Sequence, residues 1–235
     1  MVMKKLLLGV ALSMSSFIAF ACVGDQAAFS TARSVYVVPQ LPASQIYVRW
    51  TPVLEAVGRQ TGLCFDLHVA PTIPDFESSF LKGLPDFAFM NPYHQVMAHD
   101  AQGYIPLIAD GKSKLEGIVL VKADSPLVSI KQLEGKKMAF PAPNAFAASL
   151  LIRSLLAHDG IAIDPVYVKS HNNVYRSIIV GDVVAGGGVN NTLEREPQEI
   201  REQVKVLYRT PVFMPHPFSA NPRVSPDLRM KVAQA

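Results

Sequence analysis

Apolar runs of strand length alternate with helical patterns along most of the chain, and this alternation constrains the fold more than any other feature. The β-rich run 34–38 is followed by apolar residues at helical spacing from Ile46 to Val57. The alternating run 63–69 then starts a second unit of the same kind, and the theme recurs as far as 183–185. Strands that alternate with helices predict parallel sheets covered by helices, with ligands bound at the loops that follow the strands.

Three local features inside these units lead to further structural predictions. Pro52 interrupts the first helical pattern, which predicts either a kink there or a helix that starts at Thr51. His68 belongs to a period-2 alternation, so we interpret it as a sheet residue and not as a ligand. The run Gly186–Gly188 favours either a close approach of backbone to a ligand or the permissive dihedral angles of a strand end.

The first residues indicate export from the cytoplasm. Lys4 and Lys5 precede the apolar run 6–21, which ends in the small-x-small pattern of a cleavage site and is too short to span a bilayer. We therefore predict a signal peptide at residues 1–21 and a soluble mature protein in the periplasm or at the outer face of the cell membrane. Cys22 follows directly, so both plain cleavage and lipid attachment at this cysteine stay open.

The two cysteines, Cys22 and Cys64, also allow two interpretations. In an oxidising compartment they could pair. Cys64 lies in a strand pattern, however, and a small buried hydrophobic residue is the interpretation that we prefer there.

Charge and motifs exclude several classes of protein. Once Lys4 and Lys5 are removed, 20 basic residues face 19 acidic ones, a balance that provides no basic surface for nucleic acid or an anionic membrane. The chain lacks a G-x-S-x-G elbow, a Walker loop and a G-x-G-x-x-G motif after its first strand, and its six histidines include no H-x-x-x-H pair. We expect no enzyme activity, no cofactor and no metal.

Polar residues occupy three predicted junctions between a strand and the following helix, at 91–94, 143–146 and 170–173. A fourth junction spans 41–47. Asn144 is a plausible N-cap for a long helix that ends at His158. Free backbone N–H groups and the positive end of a helix dipole point outward at such junctions, which favours a bound anion. An ordinary helix cap is the alternative at each of them.

Four segments at these junctions, in this order, closely resemble the phosphate/phosphite/phosphonate ABC-transporter substrate-binding protein family: 86–94, 138–149, 170–176 and 181–188. The resemblance implies a type II periplasmic-binding-protein fold, with two α/β lobes joined by two crossing strands and a ligand enclosed by hinge closure. We assign 31–115 plus 207–235 to lobe 1 and 116–206 to lobe 2. The helix that starts near Ser225 is shorter than the family's, so either the chain is truncated or the lobe is capped differently.

The resemblance also implies the binding residues. It puts Tyr47 and Tyr93 on the first lobe's side of the cleft, and Asn144, Ala145 and His171 on the second's; the junction at 91–94 adds Asn91. Asn144 and Ala145 replace the hydroxyl residues typical of phosphonate binders, so backbone N–H groups would carry more of the binding. Acidic residues that would recognise an amine tail are not evident, which favours a small phosphorus oxyanion held by neutral donors, without an obligatory lysine or arginine.

His171 could add a proton-dependent contribution, because a neighbouring anion favours its charged form; a neutral donor or helix cap is the alternative. The expected partners are the anion and the permease subunits of an ABC importer, with no nucleic acid, and we expect a monomer. Two rival functions stay open. One is a sensor or partner-recruiting protein without an importer, and the other is a binder of a sulfonate or a pyrimidine on the same fold.

Overall fold

The structure is a computed structural model that describes residues 22–235. The predicted signal peptide, residues 1–21, lies outside the described residues. The chain forms eleven strands within the described range: β1 Val23–Gly24, β2 Arg33–Val37, β3 Cys64–Val69, β4 Phe87–Phe89, β5 Ile105–Ala109, β6 Leu115–Lys122, β7 Lys137–Phe140, β8 Asp164–Tyr167, β9 Ala185–Val189, β10 Val204–Phe213 and β11 Pro217–Ala220.

Helices connect these strands, and most of them follow a strand directly. The α-helices are α1 Ala43–Thr61, α2 Ile73–Leu81, α3 Pro92–Gln102, α4 Leu151–His158, α5 His171–Val180, α6 Asn190–Glu194, α7 Gln198–Arg201 and α8 Pro226–Gln234. Short 3-10 helices cover Gln26–Thr31 and Ile130–Leu133, and a π-helical turn, Phe146–Leu150, leads into α4. None of the helices described is both long and apolar enough to cross a membrane.

The strands form two sheets, each with a parallel centre and antiparallel additions. The first sheet has the order β1-β3-β2-β4-β11-β5, in which β2, β3 and β4 are parallel. The second has the order β10-β6-β9-β7-β8, in which β7, β8 and β9 are parallel. The sheets are mixed because β11 and β6, the first strands after the crossings, run opposite to their neighbours, and because β1 pairs antiparallel with β3.

The chain crosses between the two sheets twice, from β5 to β6 and from β10 to β11. The mixed α/β architecture with two such connections confirms the expected type II fold. The lobe boundaries proposed from the sequence stay a prediction. The strand β10 pairs along its length with β6, with register shifts between Val206 and Tyr208 and between Arg209 and Val212.

The helix α1 runs through Pro52. It begins at Ala43 after Pro42, so the predicted start at Thr51 is wrong. Proline lacks the N–H that would bond to the carbonyl of Val48 one turn earlier. Val48 is exposed, so water can bond to that carbonyl, and the apolar face that carries Ile46 and Leu54 stays buried.

Cys22 and Cys64 form a disulfide, and their Cα atoms lie 5.6 Å apart. The preference for Cys64 as an unpaired buried hydrophobic residue was therefore wrong. The strand β1 causes the difference, because it pairs antiparallel with β3 and sets Gly24 opposite Cys64. That pairing brings Cys22 from a distant part of the chain to the strand that holds Cys64.

The glycines of β9 allow a helix to pack closely against this strand. Neither of the two interpretations drawn from the sequence predicted this role. Gly186, Gly187 and Gly188 lie inside a fully buried strand and have no positive φ. A Cβ at Gly187 would lie 1.9 Å from the carbonyl oxygen of Ala148. The backbone of the π-helical turn therefore rests directly on β9, which sets the position of the opening of that helix.

Candidate functional site

A small cavity lies where loops of the two sheets meet. The first sheet contributes Gln40, Asn91 and His216, and the second contributes Ala145–Ala148 and His171. The enclosed space is about 10 Å³, which suffices for about one water molecule. Three buried polar side chains and the opening of a helix therefore face one point between the lobes.

Asn91 joins the two sides of this cavity. It is buried and caps α3, since its side-chain oxygen accepts a hydrogen bond of 2.7 Å from the backbone N–H of His94. Its amide nitrogen donates to the carbonyl oxygen of Asn144 across the cleft, at 3.1 Å. The helix that Asn91-Pro92 opens thus holds this amide at the contact between the lobes.

Next to Asn91, the buried His94 pairs with the partly buried Glu77. The Nε2 atom of His94 lies 3.0 Å from Oε1 of Glu77, and the ring packs between Phe76 and Phe80. Burial lowers the pKa of His94, while the hydrogen bond and the charge of Glu77 act in the opposite direction. A neutral His94 donates from Nε2 to the carboxylate; its Nδ1 is buried and has no partner among the described residues.

The opening of the long helix is capped differently from our prediction. The cap residue is Ala145, which makes no side-chain capping bond, so the N-cap prediction for Asn144 is wrong. The side chain of Asn144 instead donates to Oε2 of Glu77 at 3.3 Å. Because no side chain caps this end, the first N–H groups of the π-helical turn stay available, and Ala145 to Ala148 line the cavity.

His171 is the first residue of α5 and is buried. Ser170 caps this helix by accepting from the N–H of Asn173, so the side chain of His171 is not needed as a cap. The Nδ1 atom lies 3.5 Å from the hydroxyl oxygen of Thr192. Burial lowers the pKa of His171 to about 4, so the imidazole is neutral near pH 7.

His216 lies in the connection between β10 and β11, and sequence reasoning missed it. Its ring stacks on Phe89 with 5.4 Å between centroids. Burial lowers its pKa to about 3, helped by repulsion from His94, His171 and Arg195. His216 lies between two strands, so it falls outside the strand-to-helix junctions where the sequence predicts anion-binding groups. The sequence signal available was a histidine between Pro215 and Pro217.

The predicted binding residues divide into two groups. Asn91, Ala145 and His171 line the same cavity. Asn144 adjoins it but uses its amide for Glu77. Tyr47 is half exposed on α1 and donates its hydroxyl to the carbonyl of Leu67 at 3.3 Å. Tyr93 lies in the first turn of α3 and does not line the cavity.

A second hollow of about 580 Å³ lies beside the cavity and shares Gln40 and His216 with it. Its walls are largely apolar and include Trp50, Leu54 and Phe218. The hollow also contains Arg49, Arg195 and Asp110, so its charges are mixed, whereas the polar groups that line the smaller cavity are neutral. The described residues bring together no group of three His, Cys, Asp or Glu side chains that could hold a metal ion.

Comparisons with known proteins place this geometry in context. Residues 35–235 match the family model described as ABC transporter, phosphonate, periplasmic substrate-binding protein. A binding-protein component of an ABC phosphonate transporter from Pseudomonas aeruginosa superposes with a TM-score of 0.76 at 16% identity, over 86% of this chain and 72% of the other. PhnD1 from Prochlorococcus marinus in complex with methylphosphonate has a TM-score of 0.78 at 14% identity, over 86% and 82% of the two chains.

A sulfonate-binding protein of Methylobacillus flagellatus, described as a putative component of a sulfonate ABC transporter, is a more distant match. Its TM-score is 0.58 at 17% identity, over 86% of this chain and 65% of the other. At these identities the three likenesses establish the fold alone. The family rests on the sequence match over 35–235.

Proposed function

Since the chain belongs to the family of periplasmic substrate-binding proteins of phosphonate ABC transporters, we propose that the cavity at Asn91, Ala145, His171 and His216 is its ligand site. The ligand that we propose is a small phosphorus oxyanion, namely phosphate, phosphite or a phosphonate. The protein delivers this anion to the permease subunits of an importer and performs no chemistry on it. Its place is outside the cytoplasmic membrane, after removal of residues 1–21.

The observation that supports this proposal is the convergence of donors from both lobes on one enclosed point. Asn91 and His216 approach from the first sheet, and His171 and the uncapped N–H groups after Ala145 approach from the second. No lysine, arginine or carboxylate of the described chain lines the cavity. Neutral dipoles in a site shielded from water bind an oxyanion strongly, because charge-assisted hydrogen bonds strengthen in a low dielectric.

Binding must involve separation and closure of the lobes. A cavity of about 10 Å³ has room for about one water molecule, so an anion with four or more heavy atoms enters only when the lobes move apart. The hydrogen bonds across the cleft from Asn91 to the carbonyl of Asn144 and from Asn144 to Glu77 would then break or rearrange. The connections between β5 and β6 and between β10 and β11 are where a hinge would act.

Titration calorimetry with phosphate, phosphite, methylphosphonate, aminoethylphosphonate and sulfate tests the ligand class. We expect binding of at least one of the first three and weaker binding of aminoethylphosphonate, because no carboxylate among residues 22–235 lines the cavity to accept its amine. Binding of sulfonates or pyrimidines alone would refute the class. A gene neighbourhood without permease and ATPase genes would favour a sensor instead.

A matched pair of variants tests the site itself. Asn91→Asp keeps the oxygen that caps α3 but replaces the donor with a negative charge, so affinity should fall by about a hundredfold or more. Gln198→Glu adds the same charge on the exposed helix α7 and should leave affinity unchanged. Equal effects of the two variants, with normal thermal stability, would place the anion elsewhere.

A further inference from the structure

An anion bound at the proposed site would carry a negative charge that no charged side chain of the cavity lining balances. A phosphate or phosphonate near neutral pH carries up to two negative charges, and no lysine or arginine lines the cavity among the described residues. Hydrogen bonds from neutral dipoles offset the burial of one negative charge, but a second negative charge in the same enclosed site adds a desolvation cost that a proton or a counter-charge reduces. The groups at the cavity that can accept a proton are His171 and His216.

We propose that His171 and His216 form a proton-accepting pair, and that one of them becomes an imidazolium ion when a dianionic phosphate or phosphonate binds. The proposal rests on the proposed function, because it assigns a role to residues of that same site. The proton comes from solvent, forms an N–H bond on the second ring nitrogen, and leaves again when the anion is released.

The geometry supports this pair over the third buried histidine. His171 and His216 reach the cavity from opposite lobes and are more than nine-tenths buried. Within the described chain His216 makes no side-chain hydrogen bond, and the contact of His171 is a long one of 3.5 Å to Thr192. Both rings therefore have capacity for an anion. His94, by contrast, is held by Glu77 and lies outside the cavity lining.

The surrounding charges limit uptake to about one proton. His216 is repelled by His94, by His171 and by Arg195 beyond the end of α6, so protonation of one ring disfavours protonation of the other. Glu77 faces His94, and Tyr175 reaches Thr192 with its hydroxyl.

The larger hollow beside His216 carries charges of both signs, namely Arg49, Arg195 and Asp110. These charges partly offset one another, so the bound anion makes the largest change in the charge near His171 and His216.

Proton linkage should be visible in the pH dependence of affinity. Without ligand the pKa values are about 4 for His171 and about 3 for His216, so both rings are neutral at pH 7. With a bound dianion one pKa rises above the working pH, and affinity for the dianion then falls by up to tenfold for each unit of rising pH. Histidines that stay neutral in the complex would give no such dependence.

The experiment has two readouts. Calorimetry with methylphosphonate at about pH 8, in buffers of different ionisation enthalpy, should show uptake of about one proton per ligand. Nitrogen NMR of protein labelled at histidine should then show an imidazolium signal from His171 or His216 in the complex, which distinguishes a proton on the protein from one on the ligand.

Variants assign the signal. His171→Gln and His216→Gln, taken singly and together, keep a donor but cannot take a proton, so the double variant should show no imidazolium and an affinity lowered by about tenfold or more. His158→Gln, a change at an exposed histidine, is the matched control and should change nothing.

Binding with neutral histidines would overturn this inference and leave the proposed function intact. Absence of phosphate, phosphite and phosphonate binding would instead refute the proposed function.

Discussion

Removal of the Cys22–Cys64 disulfide should destabilise the protein by an amount that follows from the length of the loop it closes. The two cysteines are 42 residues apart. In the chain-entropy relation, a crosslink that closes a loop of this length lowers the entropy of the unfolded chain enough to stabilise the folded state by about 4 kcal/mol at 25 °C. The loop contains β1, β2 and α1, so loss of the disulfide would destabilise the first sheet.

Denaturant unfolding of Cys22→Ala, Cys64→Ala and the double variant measures this contribution. Cys22→Ala should lower the free energy of unfolding by about 4 kcal/mol. Cys64→Ala should lower it slightly more, because Cys64 is fully buried and its loss leaves a small void. The double variant should match Cys64→Ala within about 0.5 kcal/mol, since either change alone breaks the same bond.

Reductant provides the control and a means of refutation. It should destabilise the wild-type protein and leave the three variants unchanged. Additive effects of the two single variants, or a wild-type protein that is insensitive to reductant, would contradict the crosslink. The same bond bears on lipid attachment, because a sulfur held in a disulfide cannot also form a thioether. We therefore propose plain cleavage before Cys22, which intact mass measurement of the mature protein would check.

Three further predictions concern packing, titration and backbone strain. Gly187→Ala would push a Cβ into the carbonyl oxygen of Ala148, so it should lower stability by about 3 kcal/mol or more, whereas Gly111→Ala, which meets no atom within 4 Å, should have little effect in denaturant titrations. His171 has a folded-state pKa of about 4, below its unfolded value, so acidification from pH 6.5 to 4 should remove about 3 kcal/mol of stability, and a flat profile in thermal melts would contradict its burial. Lys169 has a φ of 74°, so Lys169→Gly should raise the melting temperature through a gain of about 0.5 to 1 kcal/mol, and a loss would show that the lysine makes compensating contacts.

Local patterns were enough to predict most elements of the fold. The alternating run 63–69 indicated β3, and the polar junctions 91–94 and 170–173 indicated where α3 and α5 begin. Such signals act over a few residues, so they are readable without any tertiary information. The four family-like segments extended this local information to the fold class, and with it to the cleft as the site of binding.

Contacts between distant residues were decided only by the tertiary structure. Asn144 has the sequence of an N-cap, yet its amide bonds to Glu77, 67 residues away. The β9 glycines have the sequence of a flexible segment, yet they provide space for a helix backbone. His216 lines the cavity because β11 returns the chain to the first sheet. Most strands, helices and polar junctions were thus predictable from sequence, because they depend on neighbours along the chain. The folded structure decided which junctions share a cavity and which donors stay available there, because these depend on the packing of one lobe against the other.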